Sequence, residues 1–186
     1  MRNRLAALAV LALFAVSTFA ATLPKGWHLA GNRPADYFAV AEAGAGVLGS
    51  KTQDAPGFGT MMQTFRADEY RGKRLRLTAD VRSENVAGWA GVWMRVDAVG
   101  NRTLSFDNMQ SRPIKGTSAW APYSVVLDVP RDSESISFGI LLAGTGKVWI
   151  DNVSFEEVDR SVPVTGSHSG SGPERPKQPQ NLDFDR

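Results

Sequence analysis

The sequence predicts an all-β fold, and three observations predict it. Segments with a two-residue apolar period recur along most of the chain. Short turn-forming stretches separate them: VGNR at 99–102, PIKGTS at 113–118 and GTGK at 144–147. No stretch carries a convincing helical period. Strands joined in this way close into a sandwich or a barrel.

Each element follows from its own pattern. FGTMMQTFRA (58–67) reads as a strand. KRLRLTADVRS (73–83) sets Leu75, Leu77, Ala79 and Val81 against Arg74, Arg76, Thr78, Asp80 and Arg82, a strand with one buried and one charged face. GWAGVWMRVDA (88–98) places Ala90, Val92, Met94 and Val96 on one face and Trp89, Gly91, Trp93, Arg95 and Asp97 on the other. RTLSFDNM (102–109) follows. In APYSVVLDVP (121–130), Tyr123, Val125, Leu127 and Val129 point inward and Ser124 and Asp128 outward, while Val126 breaks the polar set. SISFGILLAG (135–144) is apolar throughout, as a central strand is, and KVWIDNVSFEEV (147–158) closes the core. There Trp149 shares a face with Asp151, Val153 and Phe155. RPADYFAVAEAG (33–44) reads either as a turn of helix or as an irregular strand. GAGVLG (44–49) lacks the βαβ surroundings of a dinucleotide-binding turn.

The two ends differ from this middle. Residues 1–20 have a basic start (Arg2, Arg4), an apolar run from Leu5 to Val16 and then small residues, the pattern of a secretory signal peptide cleaved before Ala21. The run is shorter than the roughly 20 residues of a membrane-spanning helix. The expectation is export to the periplasm or the medium. Residues 22–158 form one domain, and 159–186, rich in Pro, Gly and Ser, read as a flexible tail. Within that tail Asn181–Phe184 reads either as part of a disordered terminus or as a strand folding back on a sheet edge, in the same chain or on a neighbouring molecule.

Charge and cysteine narrow the function. The chain has 21 Lys+Arg and 19 Asp+Glu, and two of the arginines belong to the leader, so the exported part is formally neutral. Neutrality without a run of like charges argues against nucleic acid. With no Cys, disulfides, zinc–thiolate sites, iron–sulfur clusters and cysteine nucleophiles are excluded. Catalytic patterns are scarce. There are two His; His28 has no nucleophile or acid beside it in a known motif, and GSHSG (166–170) is not a nucleophile elbow.

Several stretches resemble the galactose-binding-like jelly rolls that serve as carbohydrate-binding modules in secreted bacterial enzymes. GWHLAGNRPADY (26–37) is similar to the opening of such modules, FGTMMQTFRADEYRGKRLRLTADVRSE (58–84) to their glutamine-bearing strand and following turn, and KVWIDNVSFEEV to their closing strand. The resemblance implies an antiparallel two-sheet jelly-roll sandwich with an aromatic-lined groove over one sheet. It also implies a structural calcium site, for which Asp151 with Asp36 or Glu42 are the candidate carboxylates.

The tryptophan face of 88–98 then acquires a purpose. Sugar rings have apolar faces and hydroxylated rims, so a site for them combines flat aromatics with hydrogen-bonding groups. Trp89 and Trp93 lie roughly 13 Å apart at strand rise, with Arg95 and Asp97 on the same face and Phe106 and Asn108 extending it. The alternative is that both indoles pack. Trp27, Trp120 and Trp149 are expected to be core or edge plugs. The leading expectation is a non-catalytic, exported protein that stacks a poly- or oligosaccharide on exposed aromatics. The alternatives are a periplasmic module that binds a partner protein, and a carbohydrate-active lyase or glycosidase, whose two carboxylates no motif pairs.

Overall fold

A computed structural model describes residues 22–168. The proposed leader and the 181–184 segment lie outside the described residues. The chain runs β1 (His28–Gly31), a 3-10 turn (Pro34–Asp36), β2 (Tyr37–Glu42), β3 (Ala45–Ser50), β4 (Phe58–Arg66) and β5 (Arg74–Ala98). It continues through a second 3-10 turn (Val99–Asn101) to β6 (Arg102–Asp107), β7 (Ile114–Asp128), β8 (Ser133–Ala143), β9 (Lys147–Val158) and β10 (Ser167–His168). Every strand pairing is antiparallel. The fold is an all-β jelly roll, as expected. The ambiguous 33–44 segment contains the first 3-10 turn and β2, and all of GAGVLG but its first glycine belongs to β3.

Strand β5 organises the rest. Its 25 residues join the two expected strands at 73–83 and 88–98 into one. The first half pairs with β9 and β7, and the second half with β8 and β6. One sheet therefore runs β2-β3-β9-β5-β7 and the other β1-β4-β8-β5-β6, with β10 added beyond β6. The corner between the halves carries Asn85 at φ +52. It also carries Gly88, where a Cβ would fall 2.2 Å from the Ala143 carbonyl. Odd positions Leu75, Leu77, Ala79 and Val81 enter the core before the corner, and even positions Ala90, Val92, Met94 and Val96 after it. Each Leu, Val or Met among them contributes about 1.5–3 kcal/mol of burial.

A bulge makes a comparable switch in β9. Thr78 faces Ser154 and Asp80 faces Asp151, so β9 spends one extra residue between them. Asn152 takes φ +51 there, donates its backbone N–H to the Asp151 carboxylate (2.7 Å), and donates its side-chain amide to Asp80 (2.8 Å). As a result Val153 and Phe155 pack on the main core, while Trp149 lies on the outer face with Val47, Ala45, Phe38 and Val40. This corrects the simple alternation that put Trp149 beside Val153 and Phe155.

Two further corrections concern the plugs and the tail. Trp27 does plug the core edge, meeting Phe138 edge-on at 5.4 Å. Trp120 does not: on the edge strand β7 it is 46% exposed. The packing also continues past residue 158. Thr165 bonds Val126 through both backbone and hydroxyl, Arg74 holds the carbonyls of Arg160 and Val162, and β10 pairs with β6. That segment is what buries Val126, the apolar residue that broke the polar face of its strand.

Candidate functional site

The outer face of the β1-β4-β8-β5-β6 sheet carries the site. As the alternation requires, Trp93 and Arg95 project from β5 away from the core side chains of Val92, Met94 and Val96. They meet Ala30 and Gly31 from β1, Phe58, Thr60 and Met62 from β4, and Phe106 from β6, around a groove of about 310 Å³. Phe106 reaches this face because β6 pairs it with Arg95.

Trp93 does not stand up into solvent. Its ring is 7% exposed, and its Nε1 donates to the Thr60 hydroxyl at 2.7 Å. Thr60 belongs to β4 and Trp93 to β5, so the indole lies across the intervening β8. β8 has Gly139 opposite Trp93, and no side chain is present there to hold the ring upright. Thr60 in turn donates to the Ile140 carbonyl at 2.9 Å. A buried indole needs a partner for its N–H, and this relay supplies it.

Trp89 and Trp93 do not form one shelf either. Between them on the same face is Gly91, and a Cβ there would fall 2.5 Å from the Asn108 carbonyl. The loop after β6 therefore crosses the face between the two rings. It is fastened by Asp107, which accepts from the Met109 N–H (2.8 Å) and pairs with Arg112 (2.6 Å). Trp89 is half-buried opposite Ala143 and outside the groove. The Asn108 side chain accepts from the Gln110 N–H, closing its own turn.

Arg95 and Asp97 behave as a unit. Arg95 Nε donates to Asp97 at 2.8 Å, and the second Asp97 oxygen accepts from the Thr103 hydroxyl at 3.1 Å. The Asp97 side chain is 2% exposed and that of Arg95 40%. Asp97 therefore sets the arginine rather than facing the groove.

The candidate metal ligands are dispersed. Asp36 precedes β2 and pairs with Arg33 at 2.9 Å, while Glu42 ends β2, roughly 20 Å away at strand rise. At most one of them can therefore accompany Asp151. Among the described residues no three His, Cys, Asp or Glu gather as a metal site. A second hollow, of about 340 Å³, opens beside Asp151 between Trp27, Met61 and Ile150.

Phe58, Thr60 and Met62 were not singled out from the sequence as site residues. Their signal is the alternation of FGTMM, which puts the three on one face of β4; it shows its value only once that face is known to lie beside Trp93.

This geometry is that of an antiparallel two-sheet jelly roll, and solved structures share the fold. The enzymatically active domain of bacteriophage CBA120 tailspike protein 4 superimposes with a TM-score of 0.53 at 12% identity, over 72% of this chain and 20% of that one. The CBM22-1 xylan-binding domain of Paenibacillus barcinonensis Xyn10C superimposes with a TM-score of 0.51 at 10% identity, over 74% of this chain and 89% of that one. No family model matches the sequence. A curated relative, the uncharacterized HTH-type transcriptional regulator YbfP of Bacillus subtilis, is 44% identical over 169 residues, which cover 87% of this chain and 57% of that protein. The chain thus spans little more than half the length of that relative.

Proposed function

We propose that this protein is an exported, non-catalytic glycan-binding module whose ligand lies in the groove over Trp93. The observation that carries this reading is the groove itself: an aromatic and aliphatic floor on the outside of a sheet, away from the core, with one charged side chain at its edge. Phe58 and Phe106, half-buried beside the covered Trp93, offer the flat apolar contact that sugar rings take. The xylan-binding neighbour supports the reading through its fold. Binding without turnover is supported by the groove's chemistry, because hydrolysis of a glycoside uses two positioned carboxylates, and among the described residues lining this groove there is no Asp or Glu, while Asp97 beside it is held by Arg95 and Thr103. Export rests on the leader pattern of residues 1–20. Among the described residues no helix is long and apolar enough to cross a membrane.

The Bacillus relative favours one second reading, in which such a sandwich receives a ligand or a partner protein as part of a signalling chain. The described residues contain two single-turn 3-10 helices and no α-helix, so they offer no helix to a DNA groove.

Pull-down on insoluble polysaccharides and a glycan array test the proposal, comparing the natural protein with Phe106→Ala and Phe58→Ala. Binding that both variants weaken with unchanged melting supports it. Absence of binding across the polysaccharide panel overturns it.

A further inference from the structure

We infer that the ligand of this groove is an acidic glycan, bearing uronate or sulfate groups, and that Arg95 reads the anion; this rests on the glycan-binding reading above. The inference comes from counting donors and acceptors. Of the side chains around the groove, only Thr60 and Arg95 are polar. The Thr60 hydroxyl is committed in both directions, accepting from Trp93 and donating to Ile140. Arg95 uses Nε on Asp97, and its two terminal nitrogens have no other hydrogen-bond partner among the described residues. An arginine only donates. Thr60 is also only 4% exposed, so the exposed polar side chain of the groove is Arg95, which offers donors alone.

A neutral sugar suits such a site poorly. Its hydroxyls both donate and accept, and a protein that grips them supplies acceptors as well as donors. A carboxylate or sulfate only accepts, and the outer edge of a guanidinium matches either one in a two-pronged pair. The arrangement of charge points the same way. Asp97, with both oxygens occupied, is buried behind the arginine, while the cationic edge of Arg95 remains at the groove beside Phe106 and Trp93. The ring face of an acidic sugar can rest on the aromatic floor while its anion meets the fork.

Titration calorimetry on the full chain at low salt separates the possibilities, using matched soluble probes. These are oligogalacturonate and its methyl ester, a glucuronate-substituted xylo-oligosaccharide and xylohexaose, and a sulfated galactan oligosaccharide and its desulfated form. The expected result is that at least one acidic member binds roughly tenfold or more tightly than its neutral partner, as one charge-assisted pair allows. Arg95→Gln should abolish that preference and Arg95→Lys should keep only part of it. Because Arg95→Gln leaves Asp97 buried without its cation, the double variant Arg95→Gln/Asp97→Asn is measured beside it, with melting curves for all. Equal affinity for each acidic and neutral pair, or tighter binding of the neutral member, overturns the inference and leaves the glycan-binding reading standing. A preference that survives in the folded double variant also overturns it. No binding to any probe here or to the polysaccharide panel overturns both.

Discussion

Thr60 and Trp93 sit on strands that do not touch, yet their side chains meet at 2.7 Å across β8. The bond fixes the floor of the groove, and its consequence is that stability and binding are entangled at Trp93. Trp93→Ala removes a ring that is almost fully covered and should cost about 3 kcal/mol. Thr60→Val keeps the shape, leaves the indole N–H without its acceptor and should cost about 1–3 kcal/mol. Urea unfolding of the two variants checks this; a Thr60→Val protein as stable as the natural one would remove the relay as a structural element.

The two tryptophans of the other sheet should respond in opposite ways. Trp149 is 9% exposed beneath the Arg82 guanidinium, 3.9 Å from its ring centre, so Trp149→Ala should lower stability by about 3 kcal/mol. Trp120→Ala should change it by less than about 0.5 kcal/mol, as exposed positions do. Thermal melting of both variants is the measurement, and a large loss at Trp120 would contradict its exposure.

Tyr37 gives the fold an alkaline limit. Its buried hydroxyl lies 3.1 Å from the carbonyls of both Gly57 and Gly144. Burial raises its pKa above the ordinary tyrosine value, with the Gly144 contact opposing that rise and the Asp36 charge adding to it. The neutral phenol is the form the fold holds. Its stabilising effect is full below the unfolded tyrosine pKa of about 10, and is lost as pH climbs through the higher folded value. Tyr37→Phe should cost about 1 kcal/mol at neutral pH and flatten the alkaline fall in unfolding free energy. Denaturation followed from pH 8 to 11 compares the slopes; identical slopes would show that Tyr37 does not set the limit.

The segment after β9 should act as part of the domain. A chain ending at residue 158 loses the Thr165 bonds to Val126, the carbonyl partners of Arg74 and strand β10. It should unfold about 2–3 kcal/mol more easily than the full chain, the sum of a few hydrogen bonds and one uncovered valine. Equal melting temperatures would mean that the segment contributes nothing.

How much of this was legible in the sequence depends on what sets each feature. Strand positions and inward faces depend on local alternation, and Leu75 to Val81, Ala90 to Val96 and Val125 to Val129 were readable from it. The joining of 73–83 and 88–98 into one strand was not, because the inward face changes from odd to even positions across the corner that holds Asn85 and Gly88. β3 was missed because AGVLGS is short and glycine-rich, with Leu48 and Val47 buried on opposite faces. At the site, the face holding Trp93, Arg95 and Phe106 was legible; the collapse of Trp93 was not, since it depends on Thr60 from a distant strand and on Gly139 between them. The exposure of Trp120 was equally hidden, because nothing in its neighbours marks β7 as an edge. Val126 was a visible anomaly whose cause, the returning segment, lay outside the assumed domain.

A strand shared by both sheets ties their fates together. Neither layer can melt while the other keeps its ladder, because β5 supplies a paired row to each. Opening should therefore be all-or-none, with amides of Leu77 and Val92 exchanging with deuterium at one common, slowest rate. Tension or tightening along the groove also has a continuous covalent route, through a single backbone, to the opposite surface around Arg82.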